Sequence, residues 1–294
     1  MADLALAVDI GGTKMAAGLV TADGTLLVRA VRPTPTSGPG DAELLWEALA
    51  GVVEEVSAQV GRQDHLVVCG TGCGGPMSPG GEEVSPLNIA GWRSFPLRAR
   101  LATLTGLPVF VDNDAKALAL GEGWTGAAAG YDDYIAMVVS TGVGGGLVVD
   151  GRLLDGRLGN AGHVGHIVVV PEGRPCVCGS RGCLEAEASG TAIAALTGAP
   201  PQEASAEWIA RTGMLVGRAV SAAAVLLDLS LAVVSGSVAL GFGEPFFRAA
   251  QSEMDRLCRI EFARGARIVP GGLGDGGPLI GAARVGFCGA GLVA

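Results

Sequence analysis

The order of apolar and polar positions along the chain predicts alternating strands and helices. Short apolar runs that end at glycine, proline or acidic residues are typical of buried strands. These runs cover residues 4–8, 15–20, 26–31, 66–69, 108–111, 134–139, 147–149, 231–234 and 266–269. Longer segments in which apolar residues recur every three or four positions predict helices. These segments cover residues 41–60, 97–104, 112–120, 189–196, 204–227, 245–258 and 278–287. The alternation predicts an α/β protein.

One pattern occurs twice along the chain. A strand, a glycine turn and a second strand occur near residues 4–20 and again near residues 134–149. This repetition predicts two similar lobes that face a shared cleft. We expect one lobe to comprise residues 1–112 with a closing helix at 278–294, and the other to comprise residues 113–277. No low-complexity linker separates these regions, so we expect the lobes to be tightly joined.

Composition narrows the class of protein. The chain has 294 residues, is 49% hydrophobic and carries a net charge of −9. An acidic chain has no general attraction for a phosphate backbone, so we expect no nucleic-acid partner. Neither a signal peptide nor an apolar run of membrane-spanning length is visible, so we expect no membrane association. Seven cysteines, an odd number, suit a reducing cytoplasm.

The first glycine turn follows the first predicted strand and reads Asp9-Ile-Gly11-Gly12-Thr13-Lys14. Glycines permit a turn in which backbone N–H groups face phosphate oxygens, and Thr13 and Lys14 add a hydroxyl and a cation. The Asp9 carboxylate suits Mg²⁺, directly or through water. A strand follows the turn, so it is neither a P-loop nor a dinucleotide-binding turn. Taken alone, the motif is explained equally well by an ordinary hairpin.

A second glycine turn has the same design at the end of another strand. It reads Ser140-Thr141-Gly142-Val143-Gly144-Gly145-Gly146. Two such turns, one in each lobe, can hold a nucleoside triphosphate, so the pairing favours phosphate binding over two ordinary hairpins. The predicted contacts here are Thr141, Gly142 and Gly144.

Three polar residues, Asp112, Asn113 and Asp114, stand where a strand ends and a helix begins. Carboxylates at a helix start are often only N-caps, and we expect Asp112 to have that kind of structural role. Asn113 and Asp114 are expected to point into the cleft. A carboxylate there can accept the proton of a substrate hydroxyl as it attacks a phosphoryl group.

A cluster of metal-binding side chains lies in the segment 163–185, which is rich in glycine and proline. Its four candidate ligands are His166, Cys176, Cys178 and Cys183. Imidazole nitrogen and thiolate sulfur are the ligands that Zn²⁺ prefers, and four protein ligands make a closed, structural site. We therefore predict a structural zinc ion, with a buried thiol cluster or a disulfide as the alternative. Zinc would hold the neighbouring His163 and Glu185 in place.

Together and in this order, these motifs resemble the ROK (repressor, open reading frame, kinase) family of sugar kinases. The resemblance extends from residue 4 to about residue 287. The zinc segment is specific to that family, whereas the glycine turns are shared with the wider actin-like ATPases. The resemblance implies a two-lobed actin-like ATPase (ribonuclease H-like) fold, ATP and Mg²⁺ as cofactors, a sugar substrate and a homodimer.

The resemblance also implies roles for individual residues. Asp114 is the general base that deprotonates the 6-hydroxyl of the sugar, whose oxygen then attacks the γ-phosphate of ATP. Asn113 and Glu185 hydrogen-bond sugar hydroxyls. His166 ligates zinc and also lies near the sugar, and Gly75 resembles the glycine of the family that lines the sugar.

The resemblance is less complete in two glycine-containing segments. Gly236 lies in a turn similar to the one that the family places near adenosine, although Ser235 stands where the family usually has glycine. The loop Cys73-Gly74-Gly75-Pro76 also departs from the usual Pro-Gly-Pro. The second departure leaves the geometry of that loop open.

His163 is the departure that bears on the substrate. Many members, including glucokinases, have glutamate here, whereas the run from Ala161 to His166 is similar to that of bacterial N-acetylmannosamine kinases. A carboxylate accepts two hydroxyl protons well, while an imidazole can donate to an amide carbonyl. We therefore expect an N-acetylmannosamine kinase. A glucokinase, with His163 as a change of no consequence, is the alternative.

Two other classes of function are less consistent with the sequence. Repressors of the family carry a helix-turn-helix domain before the first glycine motif, and here that motif already begins at Asp9. The presence of Asp114 disfavours a non-catalytic, sugar-sensing regulator. The sequence leaves the phosphoryl donor open between ATP and polyphosphate.

Overall fold

The structure, a computed structural model, describes residues 3–292. Its contacts divide the chain into two compact units. Within the described residues, unit 1 comprises 3–125, 155–161 and 275–292, and unit 2 comprises 126–154 and 162–274.

Unit 1 is built on a five-stranded sheet. The strands are β1 (Asp3–Ile10), β2 (Lys14–Thr21), β3 (Leu26–Pro33), β4 (His65–Cys73) and β5 (Val109–Asn113), and their order in the sheet is β3-β2-β1-β4-β5. The first three strands pair antiparallel, while β4 and β5 continue the sheet in parallel to β1. Because β1, β4 and β5 are parallel, their carboxyl ends meet at one edge of the sheet.

The helices of unit 1 cover this sheet with apolar faces. They are α1 (Ala42–Ser57), α2 (Leu97–Thr105), α3 (Asp114–Thr125) and α9 (Gly277–Gly289). The α1 stripe of Leu45, Leu49 and Val53 is buried, as its spacing of four residues predicts. Near Gly281 the helices α9 and α3 pack so closely that a Cβ there would lie 2.3 Å from the Ala117 carbonyl oxygen.

Unit 2 repeats the topology of unit 1. Its strands are β6 (Tyr134–Val139), β7 (Val143–Val149), β8 (Arg152–Leu153), β9 (Leu231–Ser235) and β10 (Arg267–Pro270). Their order is β10-β9-β6-β7-β8, with β6, β7 and β8 antiparallel and β9 and β10 parallel to β6. Each strand thus has a counterpart in unit 1, so the repeat seen in the sequence extends to a whole sheet. The helices are α4 (Leu184–Ala188), α5 (Gly190–Thr197), α6 (Ala206–Leu227), α7 (Ser237–Phe242) and α8 (Glu244–Leu257).

The division of the chain differs from the predicted one. The predicted boundary lies after residue 112, whereas the units divide after Thr125, and residues 155–161 return to unit 1. The close packing of α3 against α9 accounts for the shift, because it keeps α3 with the sheet of unit 1. Several elements are longer than predicted or were missed: β4 runs on to Cys73, α3 to Thr125, and α4, α7 and β8 have no counterpart in the predicted pattern.

Among residues 3–292, α6 is long and apolar enough to cross a membrane by length and composition alone. The expectation that no apolar stretch reaches that length is therefore wrong for this helix. In the structure 56% of its most apolar window is buried. The helix packs along α8, where Cβ atoms at Gly213 and Gly217 would each lie 2.4 Å from a carbonyl oxygen of that helix. This close packing is that of a core helix.

Candidate active site and metal centre

The first glycine turn joins β1 to β2 in unit 1. The Gly11 N–H donates to the Lys14 carbonyl (2.9 Å), and Thr34 donates to the carbonyls of Gly11 and Thr13. Within residues 3–292 the N–H groups of Gly12 and Thr13 donate to no protein acceptor. Carbonyl groups of the turn thus accept hydrogen bonds within the protein, while two of its N–H groups remain for a ligand. An anion requires this arrangement.

Asn88 lies beside this turn, and the sequence pattern did not reveal it. A Cβ at Gly12 would lie 2.8 Å from Asn88 Nδ2, and one at Gly74 would lie 3.4 Å from Asn88 Oδ1. Gly12 is therefore required by the close approach of a side chain and not by a left-handed backbone. Asn88 stands in an irregular loop without periodicity, so no sequence signal pointed to it.

Asp9 and Asp114 come together at the carboxyl edge of the sheet. Asp9 is the penultimate residue of β1 and is 8% exposed, and Asp114 is the first residue of α3. Gly72 of β4 separates them: a Cβ there would lie 3.4 Å from the Asp114 Cα and 3.8 Å from Asp9 Oδ1. Two carboxyl groups from distant parts of the sequence therefore share one poorly solvated region.

This environment changes the acidity of both groups. Burial, reinforced by the nearby Asp114 carboxylate and opposed by Lys14, raises the pKa of Asp9 to about 7. Loss of solvent also raises the pKa of Asp114, although the Ala115 N–H donates to its Oδ1 at 2.8 Å and opposes the shift. A raised pKa suits a carboxyl group to proton transfer, and a cation placed between two close carboxylates would offset their repulsion.

The polar residues at the end of β5 have separate structural roles, and Asn113 instead of Asp112 caps the helix. Asn113 Oδ1 caps α3 by accepting the Ala115 N–H (3.0 Å), while its amide nitrogen remains a donor. Asp112 has a structural role, as expected, but it accepts the Asn113 N–H (2.7 Å) and pairs with Lys116 (2.8 Å) instead of capping the helix.

Gly75 lies in the loop that follows β4. Its carbonyl accepts the Leu87 N–H (3.2 Å), the Pro76 carbonyl accepts the Ser85 N–H (2.9 Å), and the Gly75–Pro76 peptide bond is cis. The loop thus pairs with the segment that leads to Asn88, and both lie next to the first glycine turn.

The second glycine motif forms a shorter turn than predicted. The turn consists of Ser140, Thr141 and Gly142, and the predicted turn residue Gly144 lies inside β7, opposite Val138. The glycines of β7 serve packing instead: a Cβ at Gly145 would lie 2.9 Å from Val164 and 3.4 Å from the Gly162 carbonyl. The extended turn from Gly142 to Gly146 was therefore a wrong prediction.

Glu185 reaches the same turn from α4. Its Oε2 accepts the Val143 N–H (2.9 Å), and a Cβ at Gly142 would lie 2.8 Å from that oxygen. The carboxylate has a second oxygen for another donor. The residue predicted to bind sugar therefore also holds the predicted phosphate turn in place.

Two further segments border this turn. The Ser140 carbonyl accepts the Gly190 N–H at the start of α5 (2.7 Å), and the Ser140 and Ser237 hydroxyls are 2.9 Å apart. Gly236 has a φ of 101° and lies against the backbone of Val139, where a Cβ would be 2.4 Å from the carbonyl oxygen. Gly236 thus follows β9, and Gly75 follows β4, which is the equivalent strand of unit 1.

The four predicted metal ligands converge in unit 2. Their ligand atoms all lie within 4.8 Å of one another. His166 Nδ1 is 3.6 Å from the Cys176 sulfur, and the sulfurs of Cys178 and Cys183 are 3.7 Å apart. Ligands on a tetrahedral Zn²⁺, with Zn–S of about 2.3 Å, are separated by about 3.8 Å, so the donor set and its spacing fit zinc.

The acidity of the cysteine thiols also favours a metal ion in this cluster. Burial and the neighbouring thiols raise the pKa of Cys183 to about 12, so a thiolate there needs a cation beside it. Backbone hydrogen bonding at Ser180 lowers the pKa of the exposed Cys178. The buried Glu187 fastens the segment independently of metal, since it accepts the Arg174 N–H (2.7 Å) and pairs with Arg211 (2.6 Å).

His163 stands next to the metal cluster but outside it. Its side chain is exposed, and its ring centroid is 6.0 Å from that of His166. The four metal-ligand positions are filled without it. This imidazole is therefore solvent-exposed and is not one of the four candidate metal ligands.

A duplicated sheet, a glycine turn at the end of the first strand of each copy, and a pair of carboxyl groups beside one turn together point to a phosphotransferase class. Residues 5–285 match the model of the ROK family. The chain belongs to that family. The predicted α/β fold is that of the family, and the recognition from sequence motifs is confirmed.

Individual relatives identify the enzyme class. The N-acetylmannosamine kinase of Citrobacter koseri is 39% identical over 256 residues, 81% of this chain and 84% of that protein. The glucokinase of Thermotoga maritima is 42% identical over 188 residues, 64% of this chain and 58% of that protein. A ROK family glucokinase from Streptomyces griseus, solved with glucose and AMPPNP, is 32% identical with a TM-score of 0.83, covering 96% of this chain and 99% of that one. These relatives are kinases of sugars, and the predicted class, a sugar kinase, is confirmed.

Proposed function

We propose that this sugar kinase transfers the γ-phosphate of ATP to the 6-hydroxyl of N-acetylmannosamine, with Asp114 as the general base. The observation that carries the proposal is the pair Asp9 and Asp114, which meet across Gly72 beside a turn with free amides. One carboxyl group can take a proton while the other favours a cation, and phosphoryl transfer requires both functions.

Asp114 takes up the proton that the sugar hydroxyl loses. As the O–H bond breaks, the hydroxyl oxygen forms a bond to the γ-phosphorus, and the bond from that phosphorus to the bridging oxygen of ADP breaks. The raised pKa of Asp114 makes it a stronger base than an ordinary carboxylate, provided that the pH leaves it ionised. Asn113 is suited to orient the sugar, because its Oδ1 is used by the helix and its amide remains a donor.

Asp9 is the residue suited to hold Mg²⁺. Carboxylate and water oxygens are the ligands that this cation prefers, and a cation beside Asp9 would offset the repulsion from Asp114. When bound, Mg²⁺ neutralises charge on the phosphates. Gly11, Gly12, Thr13 and Lys14 are suited to bind phosphate, and Thr141, Gly142 and Gly236 are suited to bind nucleotide.

Zinc has a structural role in this proposal. His166, Cys176, Cys178 and Cys183 would hold it, and it would fix the segment that carries His163 and precedes Glu185. All four ligands come from the protein, which is the composition of structural sites and leaves no position for a substrate.

His163 is the residue on which the choice of sugar depends. An exposed imidazole can donate to the carbonyl of a 2-acetamido group, which a glutamate cannot do. Similarity to the Citrobacter enzyme over most of its length supports the same substrate. Glucose is the second candidate, since similarity to the Thermotoga glucokinase is higher over a shorter region.

A sugar panel tests the proposal. Purified protein with ATP and Mg²⁺ is offered N-acetylmannosamine, N-acetylglucosamine, mannose and glucose, and ADP release is measured. We expect the highest kcat/KM with N-acetylmannosamine, and no turnover on any sugar would overturn the kinase assignment. Replacing ATP by polyphosphate in a parallel series decides the donor.

A matched pair of variants tests the role of His163. His163→Glu should lower kcat/KM for N-acetylmannosamine by about tenfold, as expected for one charge-assisted contact, and improve that for glucose. His65→Glu, at an exposed position of β4, is the control and should change neither. If His163→Glu leaves the ratio of the two sugars unchanged, His163 does not select the substrate.

The remaining expectations concern the cellular context. We propose a cytoplasmic homodimer with no nucleic-acid and no membrane partner, in keeping with the acidic composition and reduced cysteines. Light scattering of the purified chain, with and without sugar, measures the oligomeric state. A monomer under both conditions would contradict the dimer.

A further inference from the structure

Lys116 is a buried cation close to the proposed base. It lies in the first turn of α3, two residues after Asp114, and its side chain is 2% exposed. A buried ammonium is costly unless carboxylates surround it, so its partners identify what it holds together.

The first partner is next to the proposed sugar ligand Asn113. Lys116 Nζ lies 2.8 Å from Asp112 Oδ1, and the same oxygen accepts the Asn113 N–H at 2.7 Å. The cation therefore fixes the end of β5, where Asn113 lies.

The second partner belongs to a distant part of the sequence. Lys116 Nζ donates to Asp155 Oδ1 at 2.7 Å and to the Gly159 carbonyl at 3.4 Å. Both groups lie in residues 155–161, a loop that closes on itself because the Ala161 N–H donates to the Asp155 carbonyl at 2.9 Å. One ammonium thus clamps both sides of this loop to α3.

The position of the loop in the chain explains why a clamp matters. The chain leaves unit 2 after Leu154, forms the loop on unit 1, and returns to unit 2 at Gly162, directly before His163. Burial disfavours the ammonium, but Asp112 and Asp155 outweigh this effect and leave the pKa of Lys116 above its ordinary value. The clamp is therefore charged at neutral pH.

We infer that Lys116 is a positioning residue for sugar binding, which ties the loop preceding His163 to the helix that carries Asp114. The inference rests on the proposed function, because its consequence concerns the sugar site. Lys116 touches neither substrate nor reacting atoms in this role. Its loss should loosen the chain that enters the sugar-binding segment and weaken sugar binding more than it slows the chemical step.

A double-mutant cycle tests the clamp. Asp155→Asn keeps the size of an exposed side chain, and Lys116→Met removes the cation while filling its space. Each should raise KM for the sugar by about tenfold, with kcat within about twofold, as expected for loss of one charged hydrogen bond. The double variant should be no worse than Lys116→Met alone, since both changes break the same contact. Additive effects, or an unchanged KM, would overturn the positioning role.

Hydrogen exchange of the same variants separates the clamp from the catalytic assignment. Residues 155–161 should exchange faster in Asp155→Asn than in the wild type, with the rest of unit 1 unchanged. Unaltered exchange in this loop would show that Lys116 does not hold it. If the wild type phosphorylates no sugar, the proposed function and the positioning role both fail, whereas the exchange result still reports the clamp. Glu244→Gln, which breaks an exposed ion pair on α8, is the control and should change none of these quantities.

Discussion

At the scale of single residues, the chemistry concentrates on Asp9 and Asp114. The two residues are 105 positions apart in the sequence, and three parallel strands bring them to the same edge of a sheet. Low solvation raises the pKa of both carboxyl groups above that of an exposed carboxylate, and that of Asp9 reaches about 7.

Asp114→Asn should abolish most of the activity. Asparagine keeps the shape and can still accept the Ala115 N–H, but it cannot take a proton, so we expect kcat to fall by about 10²–10⁴-fold while sugar affinity largely remains. Steady-state kinetics with equilibrium sugar binding measures both. The exposed Asp132→Asn is the matched control, and substantial activity in Asp114→Asn would disprove the base assignment.

Asp9 should make stability depend on pH. Its pKa is about 7 in the folded chain against 3.8 for an ordinary aspartate, so the folded state binds more protons between these values and loses stability as the pH rises from about 4 to about 7. Asp9→Asn removes this loss and should raise the free energy of unfolding at pH 8 by up to about 4 kcal/mol, with little effect at pH 4. Denaturant unfolding at both pH values measures the difference.

Mg²⁺ provides the check on that prediction. If Asp9 holds the cation, Mg²⁺ and nucleotide should stabilise the wild type more than Asp9→Asn. Equal stabilisation of both proteins would argue against Asp9 as a metal ligand, and a pH-independent difference between them would argue against the raised pKa.

At the scale of elements, α6 and α8 form the main helix pair of unit 2, and an ion-pair network joins them. Glu253 of α8 is paired with Arg218 of α6 (2.7 Å) and with Arg256 of its own helix (2.8 Å). Hydrogen bonds from Arg256, which has the larger effect, and from Arg218 lower the pKa of Glu253 to about 2, although burial opposes the shift. The stability that it contributes is present above its ordinary pKa and is lost as the pH falls towards 2.

Glu253→Gln should therefore destabilise the protein at neutral pH. We expect a loss of about 1–3 kcal/mol, because a charged hydrogen-bond network is broken in a nearly buried position. The loss should shrink as the pH falls towards 2, because the wild-type carboxylate then becomes protonated. Glu244→Gln on the same helix, at an exposed pair, should cost less than about 0.5 kcal/mol, and an equal effect of both changes would contradict the account.

The four candidate metal ligands of unit 2 give a separate prediction. Elemental analysis should find about one zinc per chain, and Cys176→Ser should remove it and lower the thermal midpoint. Cys288→Ser, at an exposed thiol of α9, is the control and should retain zinc. A wild-type protein that binds no zinc, or a Cys176→Ser variant that keeps it, would contradict the site.

The elements also show where sequence reasoning succeeds. The periodicity of α1 and the apolar runs of β1 and β2 predicted those elements because burial leaves a regular trace in the sequence. The glycines of β7 were assigned to a turn because glycine is a turn signal, whereas here it allows the Gly162–Val164 backbone to approach the strand. Contacts of that kind depend on distant residues and leave no local pattern.

At the scale of the whole molecule, the repeat of a strand, a turn and a strand extends to two complete five-stranded sheets with equivalent order. The sequence predicted the repeat, the two carboxyl groups and the cluster of one histidine and three cysteines, because each has a local motif. It did not reveal Asn88 or the clamp of Lys116 on Asp155, because these depend on which loops meet in three dimensions.

The central claim is that this ROK family enzyme phosphorylates N-acetylmannosamine at its 6-hydroxyl. The most direct test is a competition in which equal concentrations of N-acetylmannosamine and glucose are incubated with the protein, ATP and Mg²⁺, and the products are identified by phosphorus–proton correlation NMR. Product amounts then report the ratio of the two kcat/KM values. We predict that N-acetylmannosamine 6-phosphate is the main product. Predominance of glucose 6-phosphate, phosphate at another hydroxyl, or no phosphorylated sugar would contradict the claim.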